Sequence, residues 1–303
     1  MLGIANNNPK CKVGSVKVSC KVHVEDIGPI KMGSPNADLV RALSEHSFAL
    51  VMLPSDLQES LNSLNLEAQA FFKIHARTPE DVRRSKEAWR TLIPRENGGT
   101  SLLGFNEPSP YKALFRYHRG CSAVMAWPSV TFQAKVEACE RRLAAYLIEQ
   151  FNAVCEALFP GRTVTYASLL SSHEKHQEST DDPNPLDLFY YYNVMDGNEE
   201  NFNCEPHVDR GLMHIVYSTS PGLEVFEAQT SNWLKVGGDS NSADPRTAVV
   251  FCNAALQTLT SGVSEPGSEA SAGLAPVQVR ACVHRVVMGP SPRLSISLEL
   301  RLR

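Results

Sequence analysis

The sequence predicts an α+β protein, a jelly roll of short antiparallel strands with a helical N-terminal half packed on it. Three observations lead there. In the first half, apolar positions recur at helical spacing, as in Leu57, Leu61, Leu64, Ala68 and Phe71. From Leu186 the period changes to two and keeps that value through a series of short runs. Helices followed by many strands, rather than alternating with them, favour segregated layers, and the double-sheet jelly roll is the closed β solution.

In chain order, residues 22–30 read as an entering strand and 38–46 as a short helix. The apolar run 48–53 suits a buried strand ahead of Pro54. Ser55 is placed to cap the helix that carries the Leu57 to Phe71 stripe. Thr78-Pro79-Glu80-Asp81 starts another helix, with a cap, a first-turn proline and acids at the positive end. Residues 98–110 read as a loop. Residues 129–158 form the longest helix candidate, buried along Val136, Leu143, Leu147, Phe151, Val154 and Leu158 and stopped by Pro160-Gly161. A further helix at 166–176 and a polar loop at 178–185 close this half.

Strand candidates follow at 186–192, 212–217, 223–226, 233–236, 248–252, 281–287 and 293–301. In the last, Leu294, Ile296, Leu298 and Leu300 alternate with Arg293, Ser295, Ser297 and Glu299. One face therefore meets a core, and the other looks onto something polar, which in a closed barrel is the lumen. Residues 237–245 and 262–276 are rich in Gly, Ser, Ala and Asp and read as surface loops. The chain thus divides into a mainly helical region, 1–185, and a jelly-roll region, 186–303.

Composition narrows the function classes. An apolar fraction of 43% and a charged fraction of 20% describe a globular protein with a large core. A net charge of −4 offers no global basic field, which argues against nucleic acid as the partner. No apolar run approaches a membrane span, so no membrane partner is expected. The first ten residues, with Asn6-Asn7-Asn8-Pro9-Lys10, lack the apolar core of a secretory signal. Eight cysteines without a CxxC pair read as reduced thiols, and a cytoplasmic location is expected. Oligomeric state is not readable from the chain.

The chemistry gathers in a few positions. In a strand, residues i and i+2 share a face, so His207 and Asp209 can reach one ion together. His284, from a distant strand, completes two nitrogens and one carboxylate oxygen on one side of a metal. That facial set leaves positions open for a co-substrate and O2, and it is the arrangement of non-haem Fe(II) oxygenases. Arg293 and Ser295, again i and i+2, offer a cationic fork and a hydroxyl suited to the far carboxylate of a dicarboxylate such as 2-oxoglutarate.

These segments, with Pro221-Gly222-Leu223-Glu224-Val225, Trp233-Leu234-Lys235-Val236 and Val249-Val250, occur in the order seen in 2-oxoglutarate and Fe(II)-dependent dioxygenases. The chain most resembles the isopenicillin N synthase-like branch. Leu256 to Gly262 is similar to that branch's Leu…Ser-Asn-Gly turn, Phe71-Phe72 to its Phe-Phe helix, and Trp127-Pro128 to the Trp-Pro before its long helix. The resemblance implies a double-stranded β-helix core with His207, Asp209 and His284 as Fe(II) ligands. It implies Arg293 and Ser295 as partners of the distal 2-oxoglutarate carboxylate, and Tyr191 as a co-substrate tyrosine. It also implies oxidation of a substrate C–H bond by O2, with release of succinate and CO2. Phe189 stands where the family's Asn-x-Tyr strand has Asn, and His214 where Thr is frequent. Asn253-Ala254 replaces a common Gly-Asp, and the 77 residues from His207 to His284 exceed the usual gap.

A small-molecule substrate is expected. Its contacts are sought among Arg116, Tyr117, His118, Arg119, Arg210, His214, Tyr217 and the tyrosines at 190–192, with a cation at Arg116 or Arg210 favouring an acidic substrate. His214 reads more readily as a half-buried strand histidine than as a catalytic one, and Cys204 as incidental. A protein or nucleic-acid substrate is the alternative, as is a binding protein without turnover. A zinc hydrolase fits less well, because it has no use for a dicarboxylate fork.

Overall fold

The computed structural model describes residues 35–94, 100–174, 184–193, 202–236, 247–261 and 278–302. The expected strand at 22–30 and the loops at 237–245 and 262–276 lie outside them.

The first half begins with α1 (Pro35–His46), β1 (Phe48–Met52), α2 (Ser55–His75) and α3 (Pro79–Trp89). Pro54, not Ser55, is the residue preceding α2, and no side chain caps that helix. At α3 the expected cap is made, with the Thr78 side chain accepting from the Asp81 amide at 3.1 Å. Three strands follow, β2 (Arg90–Pro94), β3 (Thr100–Ser109) and β4 (Lys112–His118). The loop expected at 98–110 is therefore a ten-residue strand over most of its length, paired on both sides. Its Gly and Pro content suggested a loop, but long-range pairing decides the conformation. Gly104 shows why glycine is needed there: its φ is +71°, and a Cβ would sit 1.9 Å from the Trp89 carbonyl oxygen.

The long helix is α4 (Val130–Leu158), capped by the Ser129 side chain, which accepts from the Phe132 amide at 3.0 Å. After α5 (Tyr166–Glu174) come β5 (Pro185–Tyr191), β6 (Phe202–His207), β7 (Met213–Ser218), β8 (Leu223–Glu227), β9 (Asn232–Lys235) and β10 (Thr247–Cys252). A short helix α6 (Ala254–Ser261) occupies the stretch that resembled a turn, and β11 (His284–Val287) and β12 (Arg293–Leu300) finish the chain.

The strands form two antiparallel sheets. One has the order β1-β10-β7-β12-β5-β4-β3-β2 and the other β6-β11-β8-β9. This is the α+β double-stranded β-helix that the sequence predicts. One feature was not foreseen: β1 to β4, from the half read as mainly helical, supply half of the eight-stranded sheet.

Burial follows the period-two pattern. Leu294, Ile296, Leu298 and Leu300 join the main core with Leu43, Leu143 and other helix residues. Arg293, Ser295, Ser297 and Glu299 face the cavity on the opposite side. All eight residues of β12 are buried, because helices cover one face of the strand and the second sheet faces the other. The same logic orders β4 and β5, where Ala113, Phe115, Tyr117, Leu186, Leu188 and Tyr190 turn to the helices. Between the sheets lies a smaller apolar cluster that includes Val225, Phe251 and Val286. The six cysteines among the described residues are free thiols. No helix among those residues is long and apolar enough to cross a membrane.

Candidate active site

His207 is the last residue of β6, and β11 pairs with that strand so that His284 lies directly opposite it. The two imidazole centroids are 4.2 Å apart. Asp209 does not share a strand with His207, as the sequence had suggested. It lies just beyond the end of β6, in the turn that leads to β7, so turn geometry rather than strand alternation aims its carboxylate. The result is the expected convergence. One donor atom from each of His207, Asp209 and His284 falls within 4.8 Å of the others. His207 Nε2 is 3.7 Å from Asp209 Oδ1, and His284 Nε2 is 3.5 Å from Asp209 Oδ2.

The second nitrogen of each ring tests whether the set suits a metal. His207 Nδ1 lies 2.7 Å from the Glu205 carbonyl, and His284 Nδ1 lies 3.2 Å from that of Cys282. Each Nδ1 therefore donates its proton to the backbone. Each Nε2 lone pair is left facing the carboxylate, which is the tautomer a metal needs. Two imidazoles that present Nε2 and one carboxylate on one side of an ion match ferrous iron with open positions.

The turn carrying Asp209 is anchored from three directions. The Gly211 amide donates to Glu299 Oε1 at 2.6 Å, and Asn253 Nδ2 reaches the same oxygen at 3.0 Å. The Ala254 amide at the start of α6 donates to the Asp209 carbonyl at 3.0 Å. A Cβ at Gly211 would lie 2.5 Å from the Leu300 carbonyl oxygen and 2.6 Å from Glu299 Oε1, so this seat admits only glycine.

His214, read from the sequence as a half-buried strand histidine, lies in β7 and contacts the Asp209 carboxylate. Its Nδ1–H donates to Asp209 Oδ2 at 2.6 Å. Burial works to raise the Asp209 pKa, but His214, with His284 and His207 beside it, holds the carboxyl well below its usual range. Burial pushes His284 down to about 4, which keeps that imidazole neutral. His207 is pushed up to about 9, chiefly by the hydrogen bond to the Cys204 thiol 3.8 Å away. Cys204, read as incidental, thus touches His207, and Lys112 Nζ lies 3.4 Å from its sulfur. Loss of an outer-shell partner costs roughly 10–100-fold in metal affinity. We expect that loss in His214→Ala, read by metal titration of the apo protein, with the fold unchanged by circular dichroism.

Arg293 opens β12 on the same cavity, opposite Tyr191 of β5 in register. It is 2% exposed, and its guanidinium carbon lies 5.3 Å from the Tyr191 ring centroid. Nε donates to the Ser220 carbonyl at 3.2 Å, and among the described residues no carboxylate pairs with the group. Burial lowers its pKa, the mark of a cation stripped of water without a counter-charge. Such a group calls for an anion, and Ser295 stands beside it on the cavity wall.

The profile of the 2OG-Fe(II) oxygenase superfamily matches residues 184–301, which hold all of these groups. Residues 184–301 belong to the 2OG-Fe(II) oxygenase superfamily. As a 2OG-Fe(II) oxygenase, the protein depends on ferrous iron, 2-oxoglutarate and O2. No curated protein sequence matches the chain. Among solved structures, the rice dioxygenase for auxin oxidation is similar at 16% identity and a TM-score of 0.61, over 91% of this chain and 83% of that one. Dioxygenase for auxin oxidation 1 of Arabidopsis thaliana, in its 2-oxoglutarate binary complex, is similar at 12% identity and 0.61, over 91% and 93%. A Neurospora crassa protein in complex with alpha-KG is similar at 17% identity and 0.59, over 87% and 76%. At these identities the likeness is one of fold.

The other expected substrate contacts separate. Arg116 and His214 line the oxygenase cavity. Arg119 pairs with Glu140 of α4, the Tyr217 hydroxyl donates to Asn62 of α2, and Tyr190 stacks on Phe72. Arg210 is exposed and outside the cavity lining. Arg116 is also not the free cation that was pictured, because Asp187 engages it at 2.7 and 2.6 Å.

Proposed function

We propose that this oxygenase oxidises a C–H bond of a small-molecule substrate at a ferrous ion held by His207, Asp209 and His284. The overall conversion consumes 2-oxoglutarate and O2, adds one oxygen atom to the substrate and the other to succinate, and releases CO2. One observation carries the reading: three converging donors with both imidazoles oriented by backbone carbonyls, in one cavity with a buried arginine that has no carboxylate partner among the described residues.

Iron with 2-oxoglutarate supplies the O2 activation and oxidising power that no side chain can. The chain's residues bind and orient. Arg293 and Ser295 take the distal carboxylate and Tyr191 packs against that end, so the keto acid meets the metal in one register. His214 and the Glu299 anchor keep Asp209 aimed. The apolar cluster between the sheets limits water around the site. The metal set and the arginine fall in the region read as the jelly roll, while β1 to β4 complete the large sheet and residues of α1, α2 and α4 pack on its outer face.

Similar folds support a small organic substrate. They include dioxygenases for auxin oxidation and a Neurospora crassa protein solved with alpha-KG and thymine. The test supplies iron, labelled 2-oxoglutarate and ¹⁸O2, with cell extract divided by mass. The expected result is one ¹⁸O atom in succinate, with turnover stimulated by the low-mass fraction. Succinate without the label, or stimulation confined to the macromolecular fraction, contradicts the reading.

A further inference from the structure

The oxygenase cavity has two chemically different ends. Arg293 lies at one, beside Ser295 and Tyr191. Four residues further along β12, on the same face, come Ser297 and then Glu299, about 13 Å or more of strand away. There β5 and β7 bring Asp187 opposite Ser297 and His214 opposite Glu299, while β4 places Arg116 beside Asp187. His214 bonds Asp209, so this second wall stands at the level of the metal donors and away from the co-substrate fork.

Its charges are arranged in pairs. Arg116 holds both Asp187 oxygens, at 2.7 and 2.6 Å, and Arg301 holds Glu299 at 2.5 Å. The two carboxylates are almost fully shielded, with side-chain exposures of 8% and 4%. At the Arg293 end neither Arg293 nor Lys112, whose Nζ lies 3.4 Å from Cys204 Sγ, has a carboxylate partner among the described residues, whereas at this end Arg116 and Arg301 are each held by a carboxylate.

We propose that this second end is the substrate chamber, and that it selects a small uncharged ligand bearing both hydrogen-bond donors and acceptors. The proposal rests on the iron and 2-oxoglutarate reading above. A ligand carboxylate approaching Arg116 meets Asp187 on the same guanidinium, and either separates a bidentate pair or lies against a like charge. A ligand cation meets the mirror-image penalty at Asp187. A hydrocarbon removes water from charged and hydroxyl groups without replacing its hydrogen bonds. A neutral molecule that donates to carboxylate oxygens and accepts from guanidinium or hydroxyl hydrogens leaves both pairs intact.

The test uses three one-ring probes of similar size: 2-pyridone, benzoate and toluene. Protein is loaded anaerobically with Fe(II) and saturating 2-oxoglutarate, which fills the Arg293 end, and the charge-transfer band is recorded first. Absence of that band indicts the parent reading and not the chamber. With the band present, each probe is titrated and followed by the band's displacement, and by ligand-observed NMR on zinc-substituted protein with 2-oxoglutarate. We expect 2-pyridone to bind at least tenfold more tightly than either other probe. In Asp187→Asn, which releases Arg116, benzoate should gain at least tenfold, and the double variant Arg116→Gln/Asp187→Asn should lose that gain. Benzoate or toluene binding the wild type as tightly as 2-pyridone overturns the proposal. So does failure of all three to bind, or an unchanged benzoate affinity in folded Asp187→Asn. If Asp187→Asn does not fold, the wild-type ranking decides alone.

Discussion

Arg293→Met is expected to raise the dissociation constant for 2-oxoglutarate by about two orders of magnitude while leaving the apo protein as stable as before, or more so. Removing one partner of a buried charge pair costs about 2–5 kcal/mol in binding, and about 3 kcal/mol corresponds to roughly 150-fold. Stability moves differently. In the apo protein the guanidinium is buried without a carboxylate partner among the described residues, and its Nε donates to the Ser220 carbonyl at 3.2 Å. Exchanging a buried, unpaired cation for an apolar chain of similar volume removes a desolvation cost. Calorimetry of the apo variant, set beside a 2-oxoglutarate titration of its iron form, measures both quantities. A structural arginine would give the reverse pattern, with stability lost and affinity kept.

The second large effect is expected for His284→Ala. Removing a ligand should weaken metal binding by more than the roughly 10–100-fold that loss of an outer-shell partner costs. The same variant should change the pH dependence of apo stability. His284 is neutral in the folded state, with its pKa pushed by burial from 6.5 down to about 4. A histidine depressed in this way contributes stability that is complete above the unfolded value and declines as the pH falls from 6.5 towards 4, because the unfolded chain takes up the proton first. Wild-type apo protein should therefore lose stability over that interval, and His284→Ala should lose less. Parallel stability curves for the two proteins between pH 7 and pH 4 would contradict the assignment of a buried neutral imidazole.

Much of this site was legible because β12 carries its own instructions. Four leucine or isoleucine positions alternating with Arg293, Ser295, Ser297 and Glu299 state that both faces are enclosed and that one of them is polar. The donors were legible as residue types in a known order, although Asp209 reaches the metal position from a turn and not from the strand of His207. What escaped depended on contacts between distant segments. The β3 strand passes through Gly104, Asn106 and Pro108, a loop-like composition that pairing with β2 and β4 overrides. Lys112 and Arg116 share one face of β4, and that alternation was available at 112–118, but only a sheet running from β2 to β5 gives it meaning. His214 seemed an ordinary strand histidine because its partner, five residues earlier, is brought back by a turn that Glu299, Asn253 and Ala254 hold. Arg116 looked like a free cation because nothing local announces Asp187, 71 residues later.

The central claim is that His207, Asp209 and His284 hold an iron to which 2-oxoglutarate binds. The most direct measurement adds Fe(II) and then 2-oxoglutarate to metal-free protein without oxygen, and follows the visible iron-to-keto-acid charge-transfer band. The account predicts a band that saturates at one iron per chain, is absent in His284→Ala, and needs about a hundredfold more 2-oxoglutarate in Arg293→Met. Stoichiometric iron binding with no band at saturating 2-oxoglutarate would contradict it.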